Sequence, residues 1–207
     1  MRPERRAARR REIEKAAYEV LAEKGYGATS MLAIAKQAGA SNETLYKWYG
    51  SKQALFRSIV EENAREVAEL LGDSISAARN PWDTLRCVGP VLLRLLTSEK
   101  AIALNRAAVM DVEETGILGR TLAEAGRDSI APLIARVFED GRTSGQMLFE
   151  TREQAAEVYI GLLVGDLQIR RVIGVIDAPD EAELHRRSDQ AVRLVKKIFG
   201  SRNAQSE

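Results

Sequence analysis

The segment over residues 29–52, TSMLAIAKQAGASNETLYKWYGSK, constrains the fold of this chain more than any other stretch. Its first apolar residues recur every three to four positions, which predicts a short helix with one buried face that Thr29 can cap. These residues are Met31, Ile34, Ala35 and Ala38. Gly39 is expected to end that helix, because a tight turn between crossed helices often needs a left-handed backbone. Ser41 can cap a second helix over residues 42–49. The segment therefore predicts a helix-turn-helix, in which the second helix enters a DNA major groove.

The second helix is expected to have one face for the core and another for DNA. Leu45 and Tyr49 lie four residues apart and should point inward, so the remaining side chains face outward. Base reading is predicted for Asn42, Lys47 and Trp48, because the start and exposed face of such a helix approach base edges. Phosphate contacts that set register on the duplex are predicted for the polar side chains around it. These are Thr29, Ser30, Thr44, Tyr46 and Lys52.

Charge is divided unevenly along the chain, although the net charge is only +1. Residues 1–52 hold 11 Lys and Arg against 6 Asp and Glu, a net charge of +5, whereas residues 53–207 hold 20 against 24, a net charge of −4. Only the N-terminal quarter suits a polyanion. Residues 1–11, MRPERRAARRR, show no apolar periodicity and are predicted to form a flexible, disordered arm. Such an arm can contact DNA phosphates or a minor groove, or it can be a solvated tail.

Residues 10–60 resemble the DNA-binding domain of the TetR family of transcriptional regulators. The resemblance rests on residues that fall where the family pattern places them. They are Ile34-Ala35, Ala38-Gly39, Ser41, Thr44-Leu45-Tyr46, Tyr49, Ser51-Lys52 and Leu55. Ala33 and Trp48 depart from the residue types that are frequent at their positions. The resemblance implies a homodimeric regulator, usually a repressor, that releases a palindromic operator when a small-molecule effector occupies its C-terminal domain.

The rest of the chain is predicted to be helical, which makes the fold class all-α with about nine helices. Stretches rich in Ala, Leu, Glu and Arg favour helix, and strand-like alternation is absent from the sequence. We expect a three-helix DNA-binding domain over residues 1–52 and a larger effector-binding and dimerisation domain over residues 53–200. A long helix over residues 53–71 would link the two domains. Residues 201–207 are expected to be a disordered tail.

The stretch from residue 152 to 175 is apolar on almost all sides, which predicts a helix that is covered on both sides. A further helix after Pro179 carries apolar residues at heptad-like spacing. Both helices resemble the dimer interface of the TetR family, and the segment YIGLLVGDLQIRRVIG resembles its AefR-like subset. The predicted interface residues are Gly161, Gly165, Leu184, Ala191, Val195 and Ile198. Alternatively, the two glycines only relieve crowding within one subunit.

Asp166 stands within that apolar stretch, where a buried carboxylate requires a partner. The partner is either a nearby arginine (Arg94, Arg106 or Arg170) or an effector. Asn105 and Arg106 share this ambiguity, so these two residues and Asp166 are the predicted effector contacts. We expect the effector pocket to be mostly apolar.

Other functional classes find little support in the sequence. With one His and one Cys, a zinc site is not expected, and no cofactor or catalytic constellation is visible. The cysteine, Cys87, is expected to be an ordinary core residue. No apolar run has the length of a membrane span, and a cytoplasmic protein without a membrane partner is predicted. The main prediction is a regulator that binds double-stranded operator DNA and is not an enzyme. An architectural DNA-binding protein without a ligand and, less favoured, an all-helical enzyme are the alternatives.

Overall fold

The computed structural model describes residues 3–77 and 80–201, and these residues are almost entirely helical. The helices are α1 (Pro3–Ala28), α2 (Met31–Gln37), α3 (Asn42–Tyr49), α4 (Lys52–Ala77), α5 (Pro81–Leu96), α6 (Glu99–Asp111), α7 (Ile117–Ala125), α8 (Ala131–Thr143), α9 (Arg152–Val164), α10 (Leu167–Val172) and α11 (Glu181–Phe199). A π-helical turn over Gly126–Ile130 joins α7 to α8 without interruption. The described residues contain no strand beyond one isolated bridge between Met147 and Gly200. The all-α prediction is therefore confirmed.

The chain divides into two compact units whose limits differ from a simple cut after residue 52. The first unit comprises residues 1–63 and 103–124, and the second comprises residues 64–102 and 125–207. The boundary between them falls inside α4, which begins at Lys52 and is longer than the predicted linking helix. The functional division at residues 52 and 53 stays a prediction. The predicted tail lies outside the described residues except for Ser201, whose N–H donates to the Gln146 carbonyl.

The first unit has a small apolar core that the helix-turn-helix shares with α1 and α4. Its fully buried side chains include Ile13, Ile34, Leu45, Leu55 and Phe56. Gly25 breaks the helical conformation of α1 with a φ of 72°, so the chain bends there before α2. The segment over residues 103–124 adds a buried carboxylate, Asp111, which accepts hydrogen bonds from Thr115 Oγ1 and the backbone N–H of Leu118.

The prediction of a disordered arm over residues 1–11 is wrong for residues 3–11. These residues form the first turns of α1, which begins at Pro3, a residue that suits the first helical turn. Two of their arginines bond to other parts of the first unit. Arg9 donates to the Gly39 carbonyl at 2.6 Å, and Arg10 donates to Ser58 Oγ at 3.0 Å. Residues 1 and 2 lie outside the described part of the chain.

The second unit is built around a close contact between α5 and α11. Pro90 lies inside α5 and has no N–H, so the carbonyl of Arg86 receives no hydrogen bond from the helix itself. The fully buried Ser188 of α11 supplies the missing donor, because its hydroxyl donates to the Arg86 carbonyl at 2.9 Å. Gly89 permits this approach: a Cβ at this position would lie 2.1 Å from Ser188 Oγ. Nearby, Tyr159 of α9 donates its hydroxyl to the Leu85 carbonyl at 2.7 Å.

The apolar stretch from residue 152 to 175 is two helices and not one. Gly165 has a φ of 50° and ends α9, because its left-handed backbone cannot continue a right-handed helix. Its role is therefore helix termination, and the prediction of mid-helix close packing at this glycine is wrong. Gly161 is exposed, and a Cβ there would meet nothing within 4 Å. It therefore relieves no crowding within the subunit.

Three of the predicted interface residues instead belong to the core of the second unit. Leu184, Ala191 and Val195 are buried within a single chain, since α11 packs this face against α5 and α9. They are therefore not available to a partner subunit. Ile198 continues the same stripe at the end of α11, but it is 56% exposed.

Candidate DNA-binding surface

Two side-chain caps and one left-handed glycine set the geometry of the helix-turn-helix. Ser30 caps α2 by accepting the N–H of Ala33 at 3.2 Å, and Ser41 caps α3 by accepting the N–H of Thr44 at 3.0 Å. Gly39 makes the turn between the two helices with a φ of 59°. The predicted cap at Thr29 is wrong by one residue. Thr29 is buried, and its hydroxyl donates to the Gly25 carbonyl at 2.7 Å.

Helix α3 presents the outward face that the sequence predicted. Leu45 is fully buried and anchors the helix, whereas Tyr46 and Lys47 are exposed. Thr44 is half-buried, and its hydroxyl lies 2.8 Å from the capping hydroxyl of Ser41. Trp48 is half-buried on the flank of the helix. The arrangement places one Lys and one Tyr at the surface of a helix whose other side is fixed in the core.

Three of the predicted DNA contacts are either bonded within the protein or partly buried. The Thr29 hydroxyl is buried, so the predicted phosphate contact at this residue is wrong. The ammonium of Lys52 lies 3.0 Å from the Tyr26 carbonyl and 4.1 Å from the centroid of the Tyr26 ring, which competes with the predicted phosphate contact. Asn42 is half-buried, and its Oδ1 is buried with no hydrogen-bond partner among the described residues. A bidentate contact with adenine therefore requires this side chain to rotate.

Three arginines of α1 that lie beside α3 and the preceding turn are not among the residues that the sequence predicted for this surface. The guanidinium of Arg6 lies over the Trp48 ring, 5.7 Å from its centroid, and that of Arg10 lies 5.9 Å from the centroid of Tyr49. Arg9 adds an ion pair with Glu12 to its contact with the turn. Their helical spacing in the sequence indicates this position, because residues 6, 9 and 10 continue the stripe of Ile13, Ala16 and Ala17 toward the N-terminus.

A buried tyrosine lies next to this surface, on the side of the segment that follows α6. Tyr26 is buried, and its hydroxyl has no hydrogen-bond partner among the described residues. Burial, together with the nearby carboxylates of Asp111 and Glu114, raises the pKa of Tyr26 to about 12. The phenol therefore stays neutral at physiological pH.

The predicted effector contacts do not form one cluster within either unit. Asn105 and Arg106 belong to the first unit, and Asp166 belongs to the second. The predicted burial of Asp166 is wrong, because its side chain is 63% exposed just after Gly165 has ended α9. Arg170, one of the three expected partners, lies 4.0 Å from it. Arg94 instead pairs with Glu181 through two hydrogen bonds.

The described residues show neither a metal-binding cluster nor a membrane-spanning helix. They contain no group of three or more His, Cys, Asp and Glu side chains that could hold a metal ion. None of their helices is long and apolar enough to cross a membrane. Cys87 is exposed on α5, so its predicted place in the core is wrong.

Fold and surface together define a helix-turn-helix DNA-binding regulator with a second helical unit. Comparison with known families agrees with both parts. The family of bacterial regulatory proteins described as the tetR family matches residues 13–59, and the C-terminal domain of AefR-like transcriptional repressors matches residues 83–200. The chain belongs to the TetR family of transcriptional regulators. The fold and family are those of regulators and not of enzymes, and TetR family members bind DNA, act as dimers and bind small molecules.

Individual relatives support the same assignment. The chain is similar to the crystal structure of a putative TetR-family regulator from Mesorhizobium loti MAFF303099, with 27% identity, 94% of this chain and 98% of that chain covered, and a TM-score of 0.81. It is similar to the structure of the flavonoid-responsive regulator FrrA, with 27% identity, 95% and 99% coverage, and a TM-score of 0.72. A fatty acid metabolism regulator protein from Bacillus subtilis (strain 168) is 29% identical over 93 residues. That match spans 45% of this chain and about half, 48%, of the relative.

Proposed function

We propose that this protein is a homodimeric cytoplasmic repressor that binds a palindromic operator and releases it when a small molecule binds. The observation that carries the proposal is the exposed face of α3, which is held in place by buried Leu45 and the Ser41 cap and carries Lys47 outward. The basic charge of residues 1–52 favours the same partner, because DNA phosphates supply much of the affinity.

The structure favours a revised set of DNA contacts. We assign base reading chiefly to Lys47, which can reach guanine, with Asn42 and Trp48 as flanking readers. Ser30, Thr44 and Tyr46 are assigned to phosphates, because their hydroxyl groups can donate to phosphate oxygens. Lys47→Ala should change the preferred base at one position of each half-site, whereas Tyr46→Phe should lower affinity for all sequences about equally.

The dimer is assigned to the outer faces of α9 and α11. Leu162 and Ile198 expose apolar surface there, and exposed Gly161 leaves open space that a partner helix can fill. Ile198→Glu should therefore shift the protein toward monomer in sedimentation experiments. Val109→Glu, at a similarly exposed apolar residue of α6, is the matched control and should leave the dimer intact. A wild-type protein that sediments as a monomer at micromolar concentration would refute the assignment.

The effector is proposed to be a small apolar molecule bound by the second unit. The support is the similarity to a flavonoid-responsive regulator and to a fatty acid metabolism regulator, together with the large apolar core of the unit. Asp166 belongs to this unit and stays a proposed polar contact, whereas Asn105 and Arg106 belong to the first unit. An architectural DNA-binding protein would have no effector. The effect of a small molecule on DNA binding therefore distinguishes it from a ligand-responsive repressor.

The experiment uses an operator selected from a random DNA pool with the purified protein. Naringenin, a flavonoid, and palmitate, a fatty acid, are then titrated into the protein–operator complex. We expect at least one of them to dissociate the complex. It must also bind the DNA-free protein more tightly than the protein–operator complex. The ratio of these two affinities must equal the factor by which the molecule weakens DNA binding. Binding of a probe with equal affinity in both states would favour the architectural alternative.

A further inference from the structure

Residues 3–11 of α1 carry arginines whose positions follow the buried stripe of the same helix. Ile13, Ala16 and Ala17 face the core of the first unit. Arg6, Arg9 and Arg10 lie at the preceding positions of that stripe, three and four residues apart. The face of α1 that is apolar in the core therefore becomes basic where it passes the end of α3.

Two of these arginines fix the first turns of α1 against the helix-turn-helix. Arg9 donates to the carbonyl of Gly39 in the turn between α2 and α3 at 2.6 Å. Arg10 donates to Ser58 Oγ at 3.0 Å and lies over the ring of Tyr49, the last residue of α3. These contacts reach the turn, α3 and α4. They hold the start of α1 at a defined place beside α3, so Arg9 and Arg10 are positioning residues.

Arg6 lies one turn further out and contacts α3 itself. Its guanidinium carbon is 5.7 Å from the centroid of the Trp48 ring, and its side chain is exposed. This separation lies within the range of a cation–π interaction, and the exposed guanidinium keeps N–H donors available to a ligand.

Trp48 determines where these N–H groups lie relative to a bound duplex. It stands on the flank of α3, between the buried side of the helix at Leu45 and the outward side at Lys47. A helix in the major groove meets base edges along its outward side and the phosphates of the groove walls along its flanks. We therefore expect the guanidinium of Arg6, which α1 holds beside this flank, to meet phosphate.

We propose that Arg6, held over the Trp48 ring, binds a phosphate group of the operator at the edge of each half-site. The inference rests on the proposed function and extends the DNA-binding surface from the helix-turn-helix onto α1. Guanidinium and phosphate match in charge and can form two parallel hydrogen bonds, which makes arginine suited to this contact.

The test compares Arg6→Ala with Arg11→Ala, a matched control on the same helix. Arg11 is exposed and lies about 140° around α1 from Arg6, away from α3. Affinity for the selected operator is measured by fluorescence anisotropy over a series of KCl concentrations. One lost phosphate contact in each protomer should reduce the slope of log K against log salt by about 1.8 for the dimer in Arg6→Ala. Arg6→Lys should keep most of the slope, and Arg11→Ala should keep all of it.

Ethylation interference locates the contact. With the wild-type protein, we expect one phosphate at the edge of each half-site at which ethylation blocks binding, and with Arg6→Ala this site alone should become insensitive. The preferred base sequence should not change. An unchanged salt slope for Arg6→Ala, or equal losses of slope for Arg6→Ala and Arg11→Ala, would overturn the inference. Sequence-specific DNA binding by the wild-type protein would still support the proposed function. A wild-type protein that selects no DNA sequence would contradict both the Arg6 inference and the proposed function.

Discussion

Replacement of Ser188 by alanine should destabilise the second unit because it leaves a backbone carbonyl without a donor. The carbonyl of Arg86 cannot receive an N–H from Pro90, and the Ser188 hydroxyl donates to it at 2.9 Å. The loss of one partner from a buried pair costs about 1–3 kcal/mol. For a chain of this size, the thermal midpoint should fall by about 2–4 °C for each kcal/mol. Ser144→Ala, at an exposed hydroxyl after α8 that also donates to a backbone carbonyl, is the control and should cost less than about 0.5 kcal/mol.

A double-mutant cycle with Pro90→Ala separates this cause from a general loss of packing. Alanine in place of Pro90 restores an N–H that can donate to the Arg86 carbonyl, so Ser188→Ala should cost less in that background. Chemical denaturation of all four proteins at one protein concentration gives the coupling free energy. An equal cost of Ser188→Ala in the wild-type and Pro90→Ala backgrounds would refute the reasoning.

The remaining predictions concern buried polar groups. Tyr26→Phe removes a buried hydroxyl that has no partner among the described residues, so denaturation should show no loss of stability and a gain of up to about 1 kcal/mol. Because the pKa of Tyr26 is raised to about 12 in the folded protein, the wild type should lose stability between about pH 10 and 12, and Tyr26→Phe should lose less. Arg171→Met removes a buried guanidinium that binds the Thr97 carbonyl and Glu99, and it should cost about 1–3 kcal/mol, whereas Arg170→Met should change stability little. A drop above about 1 kcal/mol for Tyr26→Phe, or equal costs for the two arginines, would contradict these assignments.

The helix-turn-helix could be predicted because its determinants are local. The Ser41 cap, the left-handed Gly39 and the anchor Leu45 all act within a few residues of one another, and the structure has each of them in the expected role. The cap of α2 was assigned one residue early, since Thr29 and Ser30 are both good capping residues. Only the tertiary fold decides which of the two hydroxyls turns inward.

Two errors arose because one pattern fits two structures. Arginines at residues 6, 9 and 10 have helical spacing, but a search for apolar periodicity does not detect a stripe made of charged residues. Gly165 in an apolar run can permit close packing or end a helix, and its φ of 50° shows the second. The hydrogen bond from Ser188 to Arg86 joins residues 102 positions apart, so no local pattern could predict it.

The spacing of the two half-sites in the selected operator provides the most direct test of a dimer that reads DNA with both α3 helices. The recognition helices of such a dimer bind half-sites about 10 base pairs apart on one face of the duplex. Insertion of about half a helical turn, roughly 5 base pairs, between the half-sites would place them on opposite faces. We expect this insertion to abolish high-affinity binding by the wild-type protein, and insertion of a full turn to restore part of it. Equal affinity for the original and the half-turn operators would contradict the account.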